Sequence, residues 1–388
     1  MNHQLRVLFV VSDSTAHGGT EILAFNLMHQ LLDMGVDCFL LSRYMYDGDD
    51  KRVLNMEEKD YEHYQSLLHN PIDKLFGRRR SDAFFEEVIR KVATKYKADW
   101  IVNHTYDLCA AIPTEGKWKT AQVFHWSIKG YEQSVLYDID KKCFFLRNLS
   151  KISFRNSTLR WHKAIPSFTR LISLTAAAHL EISDVGESVE NRKLKTIPDP
   201  LMHSNDSLIL STLHNKQIVY VGRLSQEKGV MRLIRIWQRM EKNLPEYTLN
   251  IYGVGHMRDK MESFIQEHHL QRVVFKGYTR DVANIYSNAD LCLMTSETEG
   301  FGMVLIEAMY YGVPCVSFDC PISPKEIIAD AGFTIPCFDE EKYANEVVAL
   351  LRNQKRLYDL QLRAVKRAKD FYIDKVMHLW IELLNAKE

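Results

Sequence analysis

Short apolar runs rich in β-branched and aromatic residues alternate along the chain with longer stretches of helical periodicity. Near-continuous runs of this kind are typical of strands buried on both faces of a parallel sheet. In the first half they predict strands at Leu5–Val11, Asp37–Arg43, Trp100–His104, Ala121–Trp126, Leu171–Leu174 and Lys195–Ile197. In the second half they predict strands at Gln217–Gly222, Thr248–Tyr252, Val273–Lys276, Leu291–Met294 and Val313–Phe318. Two such series in succession indicate an α/β protein with two doubly wound domains.

The polar segment after Asp199-Pro200 predicts where the first domain ends. It lacks periodicity as far as Lys216, so we expect a first domain over residues 1–202 and a second over residues 203–369. Residues 370–388 are predicted to form a last amphipathic helix. Its apolar side, which includes Trp380, is expected to join the first domain.

Length, charge and cysteine usage narrow the class of protein. The 388 residues exceed what one core usually serves, roughly 250–300 residues. The 50 basic and 50 acidic side chains cancel, which argues against binding nucleic acid over the whole surface. Seven cysteines without a CxxC pair indicate reduced thiols, and no run approaches the ~20 apolar residues of a membrane span. We therefore expect a cytoplasmic protein, at most bound to the inner face of a membrane.

The stretch from Leu291 to Pro314 carries the strongest chemical signal. An apolar strand ends near Thr295, a glycine-containing turn follows, and a helix is predicted from about Met303 to Tyr311. A helix that opens at the carboxyl end of a strand presents backbone N–H groups where α/β proteins bind ligands. The amides near Gly302 are therefore predicted to form an anion site suited to a diphosphate.

Two carboxylates accompany this predicted helix. Glu299 precedes it and Glu307 lies about one turn inside it, with seven residues between them. A carboxylate has two acceptor oxygens and can take both hydrogen bonds of a vicinal diol such as a ribose. The alternative is a surface acid in a loop and a favourable helix glutamate, and these two residues alone do not separate the interpretations.

A pair of cations follows the predicted strand that ends at Gly222. Arg223 and Lys228 lie five positions apart in the turn. A guanidinium offers a planar fork for bidentate phosphate contacts, and an ammonium is a mobile point charge. Together they would neutralise a nucleoside diphosphate as it leaves a sugar. Taken in isolation, such a pair is more commonly solvated.

In combination the motifs resemble the nucleotide-sugar-dependent glycosyltransferases of the GT-B fold, specifically glycosyltransferase family 4. The resemblance rests on Glu299 and Glu307 (E-x7-E), Gly222, Arg223 and Lys228 (GR-x4-K), Tyr252-Gly-Val-Gly255, His17-Gly-Gly-Thr-Glu21, and Asp319-Cys-Pro321 with Pro324-Lys-Glu-Ile-Ile328. It covers the second domain strongly and the first loosely. It implies two Rossmann-like domains that face a central cleft, with the acceptor on the first and the nucleotide sugar on the second.

The resemblance also implies a role for each matching residue. Arg223 and Lys228 would hold the donor diphosphate. Glu307 would hold the ribose hydroxyls, and Glu299 the hydroxyls of the transferred sugar. The further donor-binding positions, which would supply backbone or base contacts, are Gly18, Gly19, Gly222, Gly253, Gly255, Tyr278, Thr279, Gly300, Phe301, Gly302, Met303 and Val304. Of these, Gly253 and Gly255 would let the backbone approach the nucleotide.

Two histidines end predicted strands of the first domain. His104 is interpreted as a structural residue, the commoner role of a strand-end histidine. His125, in Val123-Phe-His-Trp126, is similar to the family's strand-end histidine, which implies contact with the donor sugar. We therefore expect it to join Glu299, Arg223 and Lys228 as the catalytic set, as a hydrogen-bond donor rather than a base.

Family members retain the anomeric configuration. This implies that an acceptor hydroxyl attacks the face from which the diphosphate leaves, and that the leaving phosphate takes the proton. The site would then act by positioning and charge stabilisation, with Glu299 as a covalent nucleophile a weaker alternative. Asp47-Gly-Asp49-Asp50 has the composition of a metal-binding motif but lies far in sequence from the diphosphate motifs. We interpret it as an acidic surface loop and expect neither a metal nor a cofactor.

Two basic segments, Lys74–Arg80 and Lys141–Lys163, combine cations with aromatic residues. They are predicted to contact an anionic membrane, to receive a phosphate-linked acceptor, or to form a solvated face. Because no recognition motif accompanies the charge, a nucleic-acid partner is not expected. The oligomeric state is left open.

The sequence thus predicts a retaining glycosyltransferase. It would move a hexose or an N-acetylhexosamine from a nucleotide sugar, preferably a UDP-sugar, to a glycan or lipid-linked glycan, as in bacterial surface polysaccharide or lipopolysaccharide biosynthesis. A GT-B-fold epimerase or phosphorylase and a catalytically silent GT-B partner subunit are the alternatives. A silent subunit is expected to have lost the diphosphate cations or the carboxylates, and all four are present.

Overall fold

The computed structural model describes residues 4–13, 19–140, 144–186, 189–202 and 209–386. The chain divides into two compact units. The first unit comprises Met1–Ile197 and Leu379–Glu388, and the second comprises Pro198–His378. The domain limits drawn from the sequence, 1–202 and 203–369, remain predictions.

Within the described residues, the first unit contains a sheet of seven parallel strands. They are β1 (Arg6–Val11), β2 (Asp37–Ser42), β3 (Val53–Leu54), β4 (Trp100–Asn103), β5 (Lys119–Phe124), β6 (Arg170–Ser173) and β7 (Leu194–Thr196). Their order is β3-β2-β1-β4-β5-β6-β7, and each neighbouring pair is parallel. The order reverses between β1 and β4, the point at which a doubly wound sheet leaves a crevice at its carboxyl edge.

The helices of the first unit lie between its strands along the chain, singly or in succession. They are α1 (Gly19–Asp33), α2 (Glu58–His69), α3 (Pro71–Leu75), α4 (Arg79–Tyr96), α5 (Ile128–Asp140), α6 (Phe144–Ala164) and α7 (Ala178–Val185). Consecutive residues of β1 and β5 are buried. Since successive side chains of a strand point to opposite faces, both faces of the sheet are covered. The core between these layers includes Leu8, Phe85, Ile89, Ile101 and Phe168.

The second unit repeats this topology with six parallel strands among the described residues. They are β8 (Gln217–Val221), β9 (Thr248–Tyr252), β10 (Val273–Gly277), β11 (Leu291–Met294), β12 (Cys315–Phe318) and β13 (Gly332–Ile335). The order is β10-β9-β8-β11-β12-β13, with the reversal between β8 and β11. The helices are α8 (Val230–Met240), α9 (Arg258–Glu267), α10 (Val282–Ser287), α11 (Met303–Tyr310), α12 (Pro324–Ile328), α13 (Glu340–Leu351) and α14 (Gln354–Ala368).

The prediction of two doubly wound α/β domains is confirmed, but two edge strands were missed. Strand β3 has two residues, too few for a pattern to register. Strand β13 begins at Gly332, and a Cβ there would lie 2.1 Å from the carbonyl oxygen of Cys315 on β12. The glycine is required by this close approach, although in a sequence it counts against a strand.

The last helix, α15 (Ile373–Asn385), ends in contact with the first sheet. From residue 379 onward it belongs to the first unit, where Trp380 and Leu384 are buried. The indole N–H of Trp100 donates to the carbonyl oxygen of Leu384 at 3.0 Å, and Lys119 Nζ donates to that of Ala386 at 2.8 Å. The apolar side of this part of the helix is therefore buried. In the described part of the chain, no helix has the length and apolar character needed to cross a bilayer.

Candidate active site

In the second unit, loops that carry predicted site residues follow β8 and β11, the two strands at the reversal of strand order. The loops touch because residue 229 is glycine: a Cβ there would lie 1.9 Å from the carbonyl oxygen of Thr295. Thr295 Oγ1 donates to the carbonyl oxygen of Lys228 at 3.1 Å, and the Glu297 amide donates to that of Glu227 at 2.8 Å. This backbone contact fixes the position of Lys228 relative to the loop that contains Glu299.

Lys228 and Glu299, predicted to bind phosphate and sugar, form a direct ion pair. Lys228 Nζ lies 2.7 Å from Glu299 Oε1, and the two side chains are 18% and 8% exposed. The same oxygen accepts a hydrogen bond from Ser296 Oγ at 2.6 Å. An ammonium has three donors, so the bond to Glu299 is compatible with a further contact to a phosphate oxygen. Sequence reasoning missed Ser296, since a serine in a loop carries no motif.

Arg223 follows Gly222 at the end of β8, and its side chain extends into solvent. The side chain is 64% exposed, and its Nη1 lies 3.9 Å from Glu227 Oε1. Its backbone is held in place because Tyr220 Oη donates to the Arg223 carbonyl oxygen at 3.2 Å. An exposed ion pair of this length contributes little energy, so an incoming anion competes easily for the guanidinium.

Glu307 projects from α11, whose first turn follows Gly302 at a φ of 94°. Tyr286 Oη lies 3.2 Å from the Val304 carbonyl oxygen and 3.5 Å from Glu307 Oε2. Burial raises the pKa of the Glu307 carboxyl to about 7, and the hydrogen bond from Tyr286 opposes that rise. The carboxyl that was predicted to hold a ribose is therefore near the midpoint of its titration at neutral pH. Tyr286 was also missed, because nothing in its local sequence links it to Glu307.

The structure gives Gly253 and Gly255 a packing role that differs from the predicted one. A Cβ at Gly253 would lie 1.9 Å from the carbonyl oxygen of Gly222, and one at Gly255 would lie 2.2 Å from that of Leu224. The glycines thus let the loop after β9 pack on the loop after β8, whereas we had assigned the close approach to a nucleotide. A contact between these glycines and the donor stays a prediction.

The remaining predicted positions of the second unit differ in exposure. Tyr278 follows β10 and is 69% exposed, and Thr279 Oγ1 accepts from the Asp281 amide at 3.1 Å. Phe301 is buried with its ring 5.7 Å from that of Phe371, so its side chain packs inside the unit. Gly300 is buried too, and the partly exposed residues of this segment are Gly302, Met303 and Val304.

In the first unit, four polar residues come directly after four neighbouring strands. Arg43 follows β2, Ser12 follows β1, His104 follows β4 and His125 follows β5. Arg43 Nη2 donates to Ser12 Oγ. His104 Nδ1 lies 2.8 Å from His125 Nε2, with the ring centroids 5.1 Å apart. The histidine interpreted as structural and the one interpreted as catalytic are therefore bonded to each other. Gly19 begins α1, and Gly18 lies outside the described residues.

A cavity of about 270 Å³ opens at this edge of the first sheet. Its lining includes Glu21, Arg43, His104, Asp107 and His125. Arg43 Nη1 lies 3.1 Å from Asp107 Oδ2, with 8% and 15% of the two side chains exposed. Arg78, from the basic segment Lys74–Arg80, lies 3.5 Å from the same oxygen. Burial is the main cause that raises the pKa of Glu21. Sequence reasoning did not single out Arg43 or Asp107, since each stands alone in its local sequence.

The two basic segments lie side by side in the structure. Ser153 Oγ donates to the Lys74 carbonyl oxygen at 2.5 Å, and Asn156 Nδ2 donates to that of Leu75 at 2.7 Å. Residues 141–143 of the second segment lie outside the described part. The exposed apolar side chains of this surface are Ile72, Phe76, Leu149, Ile152 and Leu159, and the exposed cations are Arg79, Arg80, Lys151, Arg155 and Lys163. We call these ten residues the basic-apolar surface.

The acidic loop that resembles a metal motif makes local contacts. Asp50 Oδ2 lies 2.8 Å from His29 Nε2, and Asp50 Oδ1 accepts from the Arg52 amide at 2.8 Å. Among the described residues, no cluster of three or more His, Cys, Asp or Glu side chains is arranged to hold a metal ion.

Comparison with known proteins places this fold in one class. Solved structures of similar fold include a variant of S. aureus TarM in complex with Fondaparinux, alpha-GlcNAc-glycerol and UDP, with a TM-score of 0.75, 15% identity, and coverage of 99% of this chain and 100% of that one. The fold is therefore that of the GT-B glycosyltransferases, as predicted. More particularly, residues 210–371 match the family model of glycosyl transferases group 1, so the second unit carries a domain of that family.

Relatives in sequence are glycosyltransferases as well. An uncharacterized glycosyltransferase of Haemophilus influenzae is 27% identical over 389 residues, which cover 98% of this chain and 99% of the relative. A GalNAc-alpha-(1->4)-GalNAc-alpha-(1->3)-diNAcBac-PP-undecaprenol alpha-1,4-N-acetyl-D-galactosaminyltransferase of Campylobacter jejuni is 27% identical over 198 residues. That match spans 50% of this chain and 55% of the relative. Together the comparisons support glycosyltransferase activity.

Proposed function

We propose that the chain is a retaining, metal-independent glycosyltransferase of family 4. It transfers a hexose or an N-acetylhexosamine from a UDP-sugar to a glycan or lipid-linked glycan acceptor. The observation that carries this proposal is the arrangement at the carboxyl edge of the second sheet. There the Lys228–Glu299 pair lies in the two loops at the reversal of strand order, and α11 begins four residues after Glu299.

The arrangement supplies charge where the reaction develops it. Lys228, the exposed Arg223 and the first amides of α11 offer positive charge to a diphosphate as its bond to the sugar breaks. The acceptor oxygen bonds to the anomeric carbon on the face that the diphosphate leaves, and its proton passes to the leaving phosphate oxygen. Lys228 and Ser296 already hold Glu299 Oε1, so the carboxylate is fixed in position. In this position Glu299 takes part as a hydrogen-bond acceptor for sugar hydroxyls.

Two comparisons support the choice of donor and acceptor class. UDP is bound in the TarM structure of similar fold. The Campylobacter relative is named for an undecaprenyl-diphosphate-linked acceptor. By analogy we assign a UDP-sugar donor and an acceptor in bacterial surface polysaccharide or lipopolysaccharide assembly, at the cytoplasmic face of the membrane.

The donor assignment is tested by binding. UDP, GDP, ADP and their sugars are compared by thermal shift, where a ligand at 100 times its Kd stabilises the protein by about 2.7 kcal/mol. We expect a UDP-sugar to give the largest shift and Arg223→Ala to reduce it. Arg258→Ala is the matched control, because Arg258 is also an exposed arginine paired with a glutamate four residues later, at 2.8 Å. Equal shifts for the two variants would contradict the diphosphate role of Arg223.

Retention is tested on the product. With an acceptor that supports turnover, the anomeric proton coupling of the new linkage is read by NMR. The same configuration as in the donor sugar is expected. Inversion would refute the mechanism and leave the donor assignment intact.

Membrane contact is assigned to the basic-apolar surface of the first unit, because it combines exposed cations with exposed apolar side chains. Each cation near an anionic lipid surface contributes about 1 kcal/mol, so Arg79→Ala should weaken binding to phosphatidylglycerol vesicles about fivefold. Arg363→Ala, an exposed arginine on α14 of the second unit, is the control. Vesicle binding that is insensitive to lipid charge and to Arg79→Ala would show that the basic-apolar surface is a solvated face.

A further inference from the structure

One carboxyl group in the cavity of the first unit has no assigned role. Glu21 ends the motif His17-Gly-Gly-Thr-Glu21 and lies in the first turn of α1, where it lines the cavity beside Thr20. Its side chain is half-buried. Within the described part of the chain, its carboxylate interacts with its own backbone amide and with no other hydrogen-bond donor. Glu21 therefore keeps acceptor capacity that faces the cavity.

The position of Glu21 is not explained by stabilisation of α1. An acid in the first turn of a helix is favourable because it interacts with the helix dipole. Glu58 has the same place in α2 and is exposed. For Glu21, burial is the largest cause that raises the pKa, and the charges of Asp13 and Asp107 act in the same direction. A carboxylate that serves only its helix would be better placed in solvent, as Glu58 is.

The rest of the lining is polar, and the protein itself does not use all of its hydrogen-bonding capacity. Arg43 Nε and His104 Nε2 belong to lining residues, are buried and have no hydrogen-bond partner among the described residues. Folded proteins usually complete such surroundings with water or a ligand. The walls also include the rings of Tyr106, Trp126 and Tyr131. A sugar combines hydroxyl groups with apolar C–H faces, and a cavity of about 270 Å³ suits one sugar ring.

The charges around the cavity favour a neutral guest. Arg43 is bound to Ser12 and lies 3.1 Å from Asp107, and Arg78 lies 3.5 Å from the same carboxylate. Glu21, in contrast, has no lysine or arginine partner in the described structure. An anionic group in the cavity would be repelled by the carboxylate of Glu21, which costs binding energy. A hydroxyl group can donate to it instead.

We propose that this cavity binds a neutral sugar of the acceptor and that Glu21 accepts a hydrogen bond from one of its hydroxyl groups. The identification of the guest as the acceptor rests on the proposed function. The preference for a neutral sugar over a uronic acid or a sugar phosphate follows from the lining and does not depend on that function. The bond from the hydroxyl also stabilises the carboxylate form of Glu21, which burial disfavours.

Binding is measured at the cavity itself through Trp126, which lines it and is 43% exposed. The chain has six tryptophans, and comparison with Trp126→Phe identifies the indole signal of this one in ¹H–¹⁵N NMR spectra. The neutral probes are the methyl glycosides of glucose, galactose, mannose, N-acetylglucosamine and N-acetylgalactosamine. The anionic probes are methyl glucuronide and the 6-phosphate of methyl glucoside. Each is titrated to about 50 mM, which saturates a site with a millimolar Kd.

We expect at least one neutral probe to shift the Trp126 signal saturably, and the anionic probes to bind about fivefold more weakly than that probe. Glu21→Gln should weaken the neutral probe about fivefold, because a charge-assisted hydrogen bond becomes a neutral one. It should also strengthen binding of the anionic probes. Glu58→Gln is the matched control, an acid at the same place in another helix of this unit, and should change neither.

Three outcomes overturn the proposal: no saturable shift with any neutral probe, tighter binding of an anionic probe, or equal effects of Glu21→Gln and Glu58→Gln. If Glu21→Gln does not fold, the wild-type preference between the neutral and anionic probes still decides. UDP-sugar binding is followed separately by thermal shift. If a UDP-sugar binds and no neutral probe does, this inference fails and the proposed function stands. If neutral probes bind and no nucleotide sugar does, the proposed function fails and the cavity remains a sugar site.

Discussion

The two units share one topology and use it differently. In the second unit, Lys228 and Glu299 lie in loops after two strands, and each belongs to a short motif. In the first unit, the cavity is built from single residues after four neighbouring strands, Arg43, Ser12, His104 and His125. A site built from contiguous motifs can be recognised in a sequence, whereas a site built from one residue per strand becomes visible only when the sheet is assembled.

The units also differ in how they hold positive charge. The side chain of Arg223 is 64% exposed and that of Arg43 is 8% exposed. Arg43 is neutralised by Asp107 at 3.1 Å, and Arg223 has a weak contact at 3.9 Å. A cation that must meet and release a cosubstrate benefits from exposure, while a buried cation serves the structure unless a ligand displaces its partner. We therefore expect the exposed Arg223 to matter for turnover and the buried Arg43 to matter for stability.

The largest expected effect belongs to Lys228→Ala, because the proposed function places this cation on the leaving diphosphate although it is paired with Glu299 and only 18% exposed. Loss of a charge that stabilises the transition state is expected to lower kcat/KM about 100- to 1,000-fold. Lys325→Ala is the control, because this lysine of the second unit is 78% exposed and lies 3.9 Å from Asp319. Steady-state kinetics with the preferred UDP-sugar measures both. If Lys228→Ala keeps more than half of the activity, the second unit does not use this cation.

A backbone substitution tests whether the second site depends on close packing of its loops. Gly253→Ala places a Cβ 1.9 Å from the carbonyl oxygen of Gly222, at a φ of 142°. We expect it to destabilise the protein by about 3 kcal/mol in chemical denaturation. Gly277→Ala is the control, since its φ is also positive, at 73°, but no heavy atom lies within 4 Å of the added Cβ. If Gly253→Ala and Gly277→Ala lose equal unfolding free energy, the effect is due to backbone strain and not to the close packing of the loops.

Arg43→Met tests the structural role of the buried cation in the first unit. The change removes the nearer of two arginines from Asp107, whose side chain is 15% exposed, and leaves Arg78 at 3.5 Å. We expect a loss of about 2 kcal/mol in unfolding free energy and an unchanged affinity for the UDP-sugar. Isothermal titration and denaturant unfolding give the two quantities. A stable variant with weakened donor binding would reverse the roles assigned to the units.

The smallest expected effect is a pH dependence that belongs to Glu307. Its raised pKa of about 7 means that the carboxylate is the minority form below that pH. If only the carboxylate accepts both ribose hydrogen bonds, UDP-sugar affinity rises about tenfold between about pH 6 and pH 8. Glu307→Gln should abolish this dependence. A dependence that persists in Glu307→Gln would point to another group.

The same pKa makes a prediction for stability. Because the folded-state pKa of Glu307 lies above its ordinary value of 4.5, the folded protein binds the proton more tightly than the unfolded chain. Its contribution to stability is full below about pH 4.5 and is lost as the pH rises through 7. Glu307→Gln should therefore be relatively more stable at alkaline pH.

The fold was predictable from the sequence to the level of its alternating elements. Strands such as β1 and β11 are continuous apolar runs, and α11 was placed within one residue of its observed end at Tyr310. The edge strands β3 and β13 could not be predicted, because β3 has only two residues and β13 begins with a glycine. Neither strand gives a periodic signal. Of the candidate site, the motif residues could be named in advance, but the bonds from Ser296 to Glu299 and from Tyr286 to Glu307 could not.

By itself, the sequence determined the two doubly wound halves, the motif residues of the second one and the class of chemistry they suit. Those properties depend on residue types at short spacing, which a linear chain displays. The tertiary structure alone decided that Lys228 pairs with Glu299, that Gly253 packs against Gly222, and that His104 bonds to His125. These contacts join residues from different loops of a sheet, and their geometry is set by strand order and backbone approach.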